Sequence, residues 1–398
     1  MDLNIHPFLT VMAIALVASL LSEIRVGTLR VPVVVWEMVF GILIGPYALG
    51  LVRPGGFMQW FGQGPGLAAL FFMAGMELDL QKVKGRPLSL AIRGWILSLG
   101  LGLAAAAVLH SLPGIQAPMM VGLVLTTTAL GTFMPILRDT GNLDSRFGSF
   151  VLAAGAAGEF APVMVVSLVL TRKFGAWQEI ALMLAFVVVA VGAALIALGL
   201  RPPRVLKLLE RTMHSSTQLP VCLSLLLVAS FVSLSTAIGF EAVLGAFASG
   251  MVVGLASRGQ QGKVFRHKME AICFGFLVPF FFVASGISLD LGSLLLSPKT
   301  LLLAPMFLIL FLVVRGAPVI LYRNDLPGYE QLPFALYSAT ALPMVVAITD
   351  IGVRGGIMPA HMAAAVVGAG LLSVLLFPTI AGVLLGKAGT EATTAEVV

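Results

Sequence analysis

The chain has 398 residues, 59% of them hydrophobic and 11% charged, with a mean hydropathy of +1.04. No soluble core needs that much apolar sequence, so the composition predicts a polytopic, all-α integral membrane protein. The net charge of +6 does not point to nucleic acid, because the basic residues lie in short loops between apolar stretches, where they set membrane orientation.

Allowing about 20 residues for a helix that crosses the bilayer, thirteen spans follow in chain order. They cover 7–22, 32–46, 64–80, 88–112, 118–137, 147–170, 178–200, 218–238, 241–256, 269–291, 299–322, 329–351 and 358–386. MDLNIHP at the start is acidic rather than basic, so the first span is read as a genuine one and not as a cleaved signal. The second, third and ninth are short for a bilayer, and each can extend into its flanking loop. With the N-terminus outside, the inner loops hold 17 Lys and Arg, the outer loops 5, and Arg93 and Arg315 fall within spans. That bias predicts a cell-membrane protein with an outer N-terminus and a cytoplasmic C-terminus. Cys222 and Cys273 lie in apolar spans and the five histidines are scattered, so neither a disulfide framework nor a resident metal or cofactor is expected.

Within these spans a few polar residues stand out. Glu37 is a carboxylate inside the second span, read as an interface group ahead of an ion-binding one. Glu77 and Asp79 end the third span beside Lys82, Lys84 and Arg86. They either pair there at the interface or form a funnel that attracts cations. The fifth span carries Thr126, Thr127 and Thr128, then Gly131 and Pro135; the twelfth carries Thr340, then Pro343. Proline, glycine and β-branched threonine inside a span predict a broken helix, which membranes tolerate only where protein buries it or water lines it. The alternative is that the threonines bond back onto their own helices and merely kink them.

In the sixth span, FVLAAGAAGEFAPVMVVSLVL (150–170), one charge stands near the middle, Glu159. A carboxylate at that depth is costly and is by default a functional candidate. Pro162 has no N–H to bond the carbonyl four residues earlier, which belongs to Gly158. A carboxylate beside a free main-chain oxygen suits a small hard cation. The competing reading is a structural ion pair with a basic residue.

The two halves of the chain repeat. FFMAGMELDL (71–80) recurs as FFVASGISLDL (281–291), with Gly75 answering Gly286 at a distance of 211 residues. TTTALG (126–131) recurs as SATALP (338–343) at 212, and FGILIG (40–45) as SGMVVG (249–254) at 209. Seven spans separate the third from the tenth, an odd number, so the halves have inverted topology. Matched broken helices in such repeats point to a midplane transport site.

Taken together, GILIGP, FFMAGMELDL, TTTALG, GAFASG, LVPFFFVASGISLD and ATALPMVVAITDIG resemble the monovalent cation–proton antiporters, over nearly the whole chain. The resemblance implies two crossed broken helices and a sixth-span acidic residue, here Glu159, that binds cation and proton in competition. Dimerisation-side helices would occupy 1–63 and 171–268, and a mobile core domain 64–170 and 269–398, with a homodimer in the bilayer. Where electrogenic members carry two aspartates, this chain has Gly158-Glu159, and where they often carry a lysine it has Arg315. Arginine stays protonated. One carboxylate exchanging one proton for one monovalent cation predicts electroneutral exchange, with Arg315 as a fixed charge partner. The expected ligands are the Glu159 carboxylate, oxygens of Thr127 and Thr128, and the Gly158 carbonyl. Na⁺ and K⁺ both stay open as the transported ion, with a compact oxygen cage favouring Na⁺. Competing readings are a sodium-coupled organic-solute symporter and a partner-gated potassium efflux channel. A membrane enzyme is not expected, for no span carries a nucleophile motif or paired carboxylates.

Overall fold

The structure, a computed structural model, describes residues 6–23, 31–77, 85–111, 117–139, 141–143, 145–170, 176–199, 212, 215, 217–257, 260–290, 292 and 298–395. No strand occurs among the described residues. Helices lie over each of the apolar stretches: α1 His6–Ser22, α2 Val33–Ile44, α3 Gly56–Phe61, α4 Leu67–Glu77, α5 Arg86–His110, α6 Pro118–Val124, α7 Leu130–Asp139, α8 Arg146–Leu170 and α9 Ala176–Gly199. The second half supplies α10 Leu219–Ala237, α11 Ala242–Ala256, α12 Gln260–Ile272, α13 Val278–Ser288, α14 Pro298–Gly316, α15 Gly328–Ala339, α16 Pro343–Arg354 and α17 Ala360–Ala395. Seven helical stretches among the described residues are long and apolar enough to cross a membrane unaided, so the chain is a multi-pass membrane protein. Short π-helical turns, Gly62–Gly66 and Cys273–Leu277, join α3 to α4 and α12 to α13.

By internal contacts the chain divides into two compact units. The first comprises Met1–Ala15, Gly55–Asp79 and Val163–Ala284. Its centre is the pair α4–α11, with α9 and α10 packed on α11. Its two π turns cross: a Cβ on Gly62 would strike the Phe280 carbonyl, and one on Gly66 the Leu277 carbonyl. Rings of Phe61 and Phe280 meet edge-on at 4.9 Å beside that crossing. The second unit comprises Leu16–Pro54, Leu80–Pro162 and Ser285–Val398. There α17 packs against α14, α15 and α16, while α5 packs against α6 and α14.

The repeat is physical, not merely textual. In the first unit a Cβ on Gly75 would run into Phe247 O, Met251 N and Gly250 Cα. In the second, a Cβ on Gly286 would run into Met38 O, Ile42 N and Gly41 Cα. Met38, Gly41 and Ile42 are the residues 209 positions before Phe247, Gly250 and Met251, so the same main-chain crossing is built twice. The π turns obey the offset too, Gly62–Gly66 and Cys273–Leu277 lying 211 apart. Small residues allow this approach, which is how membrane helices gain contact without a hydrophobic drive. Adding one methyl at either crossing is expected to force the helices apart and cost about 1–3 kcal/mol or more. Gly75→Ala and Gly286→Ala should each lower the thermal midpoint of the detergent-solubilised protein. Gly100→Ala, whose Cβ meets nothing within 4 Å, should leave it unmoved.

Candidate functional site

The threonines of the fifth span lie in a gap between helices. The chain leaves α6 at Leu125, runs through Thr126–Ala129 and resumes as α7 at Leu130; Gly131 and Pro135 fall within the resumed helix. Thr126 and Thr127 bond back, their hydroxyls donating to Leu123 O and Val124 O at 2.7 Å each. Thr128 does not. Its hydroxyl donates to Ser338 O at 2.6 Å, and its N–H to Gly158 O at 2.9 Å. The carbonyl that Pro162 frees in α8 is therefore taken up by the first break.

A second break, Thr340–Leu342, separates α15 from α16, which begins on Pro343. The Thr340 hydroxyl bonds back to Leu336 O at 3.0 Å. The Thr340 carbonyl instead accepts the Ala129 N–H at 2.7 Å, so the two breaks touch through their main chains. Ala341 turns to α17: its N–H donates to the Ser373 hydroxyl at 3.0 Å. All of these groups belong to the second unit.

Arg315, in the last turn of α14, is only 3% exposed. Its Nε donates to Thr128 Oγ1 at 2.8 Å, Nη1 to Ser98 Oγ at 3.2 Å and Nη2 to Ala154 O at 3.0 Å. Nε also stands 3.4 Å from Ser338 O, a carbonyl in the last turn of the half-helix α15. A buried guanidinium is tolerable only when its donors are met, and here neutral oxygens of α5, the first break, α8 and α15 meet them. Gly158 is required by this packing, since a Cβ there would lie 2.5 Å from both Arg315 Nη2 and Thr128 Oγ1.

Glu159, 8% exposed, is the residue after Gly158, within α8. Thus Gly158, Thr128, Thr340 and Arg315 meet at the crossing, Glu159 and Pro343 adjoin it along the chain, and Thr126 and Thr127 are bonded to their own helix end. Of the remaining candidates, Glu77 is the last residue of α4 in the other unit and Asp79 lies outside the described residues. Among the described residues no group of three or more His, Cys, Asp or Glu could hold a metal ion. Sequence reasoning misses Ser98, Ser338 and Ser373. Ser338 had a signal, because it occupies the place of Thr126 in the repeat; a lone serine in an apolar helix, as at 98 and 373, has none.

The sequence matches the family described as sodium/hydrogen exchanger, transmembrane, over residues 12–387. The chain belongs to this family. Among curated relatives of this exchanger-family chain, the putative Na(+)/H(+) antiporter YjbQ of Bacillus subtilis is 25% identical, over 94% of this chain and 62% of that protein. This chain therefore spans less than two thirds of that relative's length. The Na(+)/H(+) antiporter of Enterococcus hirae is 24% identical, over 94% of this chain and 97% of the relative. The Na(+)/H(+)-K(+) antiporter GerN of Bacillus cereus is 26% identical, over 69% and 71%. The solved sodium proton antiporter MjNhaP1 from Methanocaldococcus jannaschii superposes with a TM-score of 0.60 at 16% identity, covering 96% of this chain and 98% of that one. The all-α antiporter fold that the family resemblance implied is thereby the fold observed. The family is one of transporters rather than of catalytic enzymes.

Away from the crossing, at the end of the second unit where α5 and α8 start, Asp325 ties three segments together. It accepts Arg86 Nε at 2.5 Å, Arg86 Nη2 at 2.8 Å and Arg146 Nη2 at 3.4 Å. The hydrogen bond from Arg86 holds the Asp325 carboxyl below its ordinary range, with Arg146 adding to the effect and burial opposing it. A depressed carboxyl pKa stabilises the fold above the unfolded value of about 4 and stops doing so as pH falls through the folded value. Asp325→Asn should lower the thermal midpoint near pH 7, with the gap to the unsubstituted protein narrowing as pH falls below about 4. A gap that persists at acid pH would place the effect in packing rather than charge.

Proposed function

We propose that this protein exchanges a monovalent cation, Na⁺ or K⁺, for H⁺ across the membrane, with both ions competing for the Glu159 carboxylate. The observation that carries this reading is the placement of Glu159 next to Gly158, whose carbonyl is bonded to the first of two touching broken helices, in a chain of the exchanger family. The names of the relatives, antiporters of Na⁺, H⁺ and in one case K⁺, support the same substrate class.

In the proposed cycle Glu159 moves between the two faces carrying either a proton or a cation. Crossing while ionised and empty is disfavoured, because a bare charge at membrane depth is costly, and that penalty couples the ions. The Thr128 hydroxyl and the Gly158 carbonyl already carry hydrogen bonds. The Thr127 hydroxyl donates to Val124 O but, unlike that of Thr128, does not also accept from Arg315, so the cation draws first on Glu159 and on oxygens of Thr127, and recruits Thr128 and Gly158 as those bonds exchange. Arg315 keeps its proton throughout and serves as a fixed positive charge holding the frame. A core domain moving against dimerisation-side helices in a homodimer, elevator fashion, would supply alternating access. The N-terminus would lie outside and the C-terminus in the cytoplasm, as the distribution of basic loops favours.

With one exchangeable carboxylate, one proton leaves for each monovalent cation bound, so the exchange is electroneutral. Purified protein in liposomes with an internal pH dye tests the reading. Addition of Na⁺ or K⁺ should move protons through the unsubstituted protein and not through Glu159→Gln, and the ion that works names the substrate. A full response in Glu159→Gln would sink the assignment. Cation flux without proton movement would favour the channel reading instead. Imposing a membrane potential on the same liposomes should leave the exchange rate unchanged; a rate that follows the potential would refute electroneutrality.

A further inference from the structure

The two breaks are repeat mates, yet they are held differently. Ala129 and Ala341 correspond at the offset of 212. The Ala129 N–H is met by main chain, the Thr340 carbonyl, at 2.7 Å. Ala341 is met by a side chain: the fully buried Ser373 hydroxyl accepts its N–H at 3.0 Å. The one proton of that hydroxyl has two acceptors in reach, Gly370 O at 2.7 Å and Ala341 O at 3.0 Å. A single oxygen on α17 thus serves both main-chain groups of the residue at the centre of the second break.

From there hydrogen bonds alternating with peptide links lead to Gly158, the residue before Glu159. Ser373 fixes Ala341. The adjoining Thr340 carbonyl accepts from Ala129, the neighbouring Thr128 N–H donates to Gly158 O, and Glu159 is the next residue. We propose that Ser373 is a positioning residue for ion binding at Glu159, setting the second break and through it the first. The proposal rests on the exchange reading above for its transport readout. Groups that orient the ligands of an ion usually change affinity more than turnover when removed, by about 10- to 100-fold for metal sites.

The test compares Ser373→Ala, Ser373→Cys and Ser373→Thr with the unsubstituted protein, in the pH-dye liposomes and by amide hydrogen exchange in detergent. Thr keeps the hydroxyl, Cys keeps the shape with a weaker donor, and Ala removes both. The expected result is a half-saturating cation concentration raised by at least about 10-fold in Ser373→Ala. Ser373→Cys should be intermediate and Ser373→Thr near the unsubstituted value, with maximal rates within about three-fold of one another. Peptides containing Ala341 and Ala129 should exchange faster in Ser373→Ala. Should Ser373→Thr fail to fold, the order of Ala and Cys decides. A lowered maximal rate with unchanged half-saturation would mark Ser373 as merely structural and overturn the proposal. If the unsubstituted protein moves no protons, the exchange reading fails by itself. The amide exchange then decides for Ser373, and equal exchange at Ala341 and Ala129 in Ser373→Ala overturns it.

Discussion

An interruption of a helix at membrane depth frees N–H and C=O groups that lipid cannot meet, at several kcal/mol apiece if they stay unmet. The contact between Ala129 N–H and Thr340 O is the point at which this protein resolves that constraint, for it joins the two interruptions to each other. Neither break could exist without its neighbour. Around that contact further main-chain groups find partners on the flanking long helices, Thr128 on α8 and Ala341 on α17. The glycines at 158 and 370 let those helices come near enough, since a Cβ at Gly370 would lie 2.8 Å from Ala341 O.

Arg315 follows from the same constraint. Two half-helices, α6 and α15, end at the breaks, and helix ends carry partial negative charge on unpaired carbonyls. A guanidinium offers five donors in a rigid plane, and here it reaches Thr128, Ser98, Ala154 and the Ser338 carbonyl. An ammonium on the same stem would present a compact charge with three donors and could not span these partners. An arginine at 315 therefore has a structural reason here, apart from any part in proton handling.

Much of this was readable from the chain. Apolar spacing located the helices, and the offsets of 209 to 212 residues identified crossings that the backbone builds twice. The proline at 162 correctly marked the Gly158 carbonyl as one without a helical partner, although not that Thr128 would take it. What stayed hidden depended on helix rotation. Serine in an apolar helix by default bonds back to its own turn, so nothing in the letters distinguishes Ser373, which reaches Ala341, from Ser230, which bonds only to Leu226. The π turns were half visible. GQGPG at 62–66 announces irregular backbone, whereas its mate CFGFL at 273–277 does not, and only the crossing with Gly62 and Gly66 explains it.

The limits of the repeat say where its symmetry stops mattering. Gly158 and Gly370 stand 212 residues apart and both allow close approach at the two breaks, but the residue after Gly158 is Glu159 and the residue after Gly370 is Leu371. Likewise Glu37 in α2 has Ala246 as its mate in α11, in helices whose crossings are otherwise matched atom for atom. A duplicated architecture thus offers two equivalent backbone settings and places a carboxylate in only one of each. Had the acidic residues been needed to fold the crossings, the mates that lack them could not have formed. At Leu371 and Ala246 the corresponding backbone is built without a charge. The carboxylate at 159 is accordingly an addition to a backbone setting that its repeat mate at Leu371 forms without one.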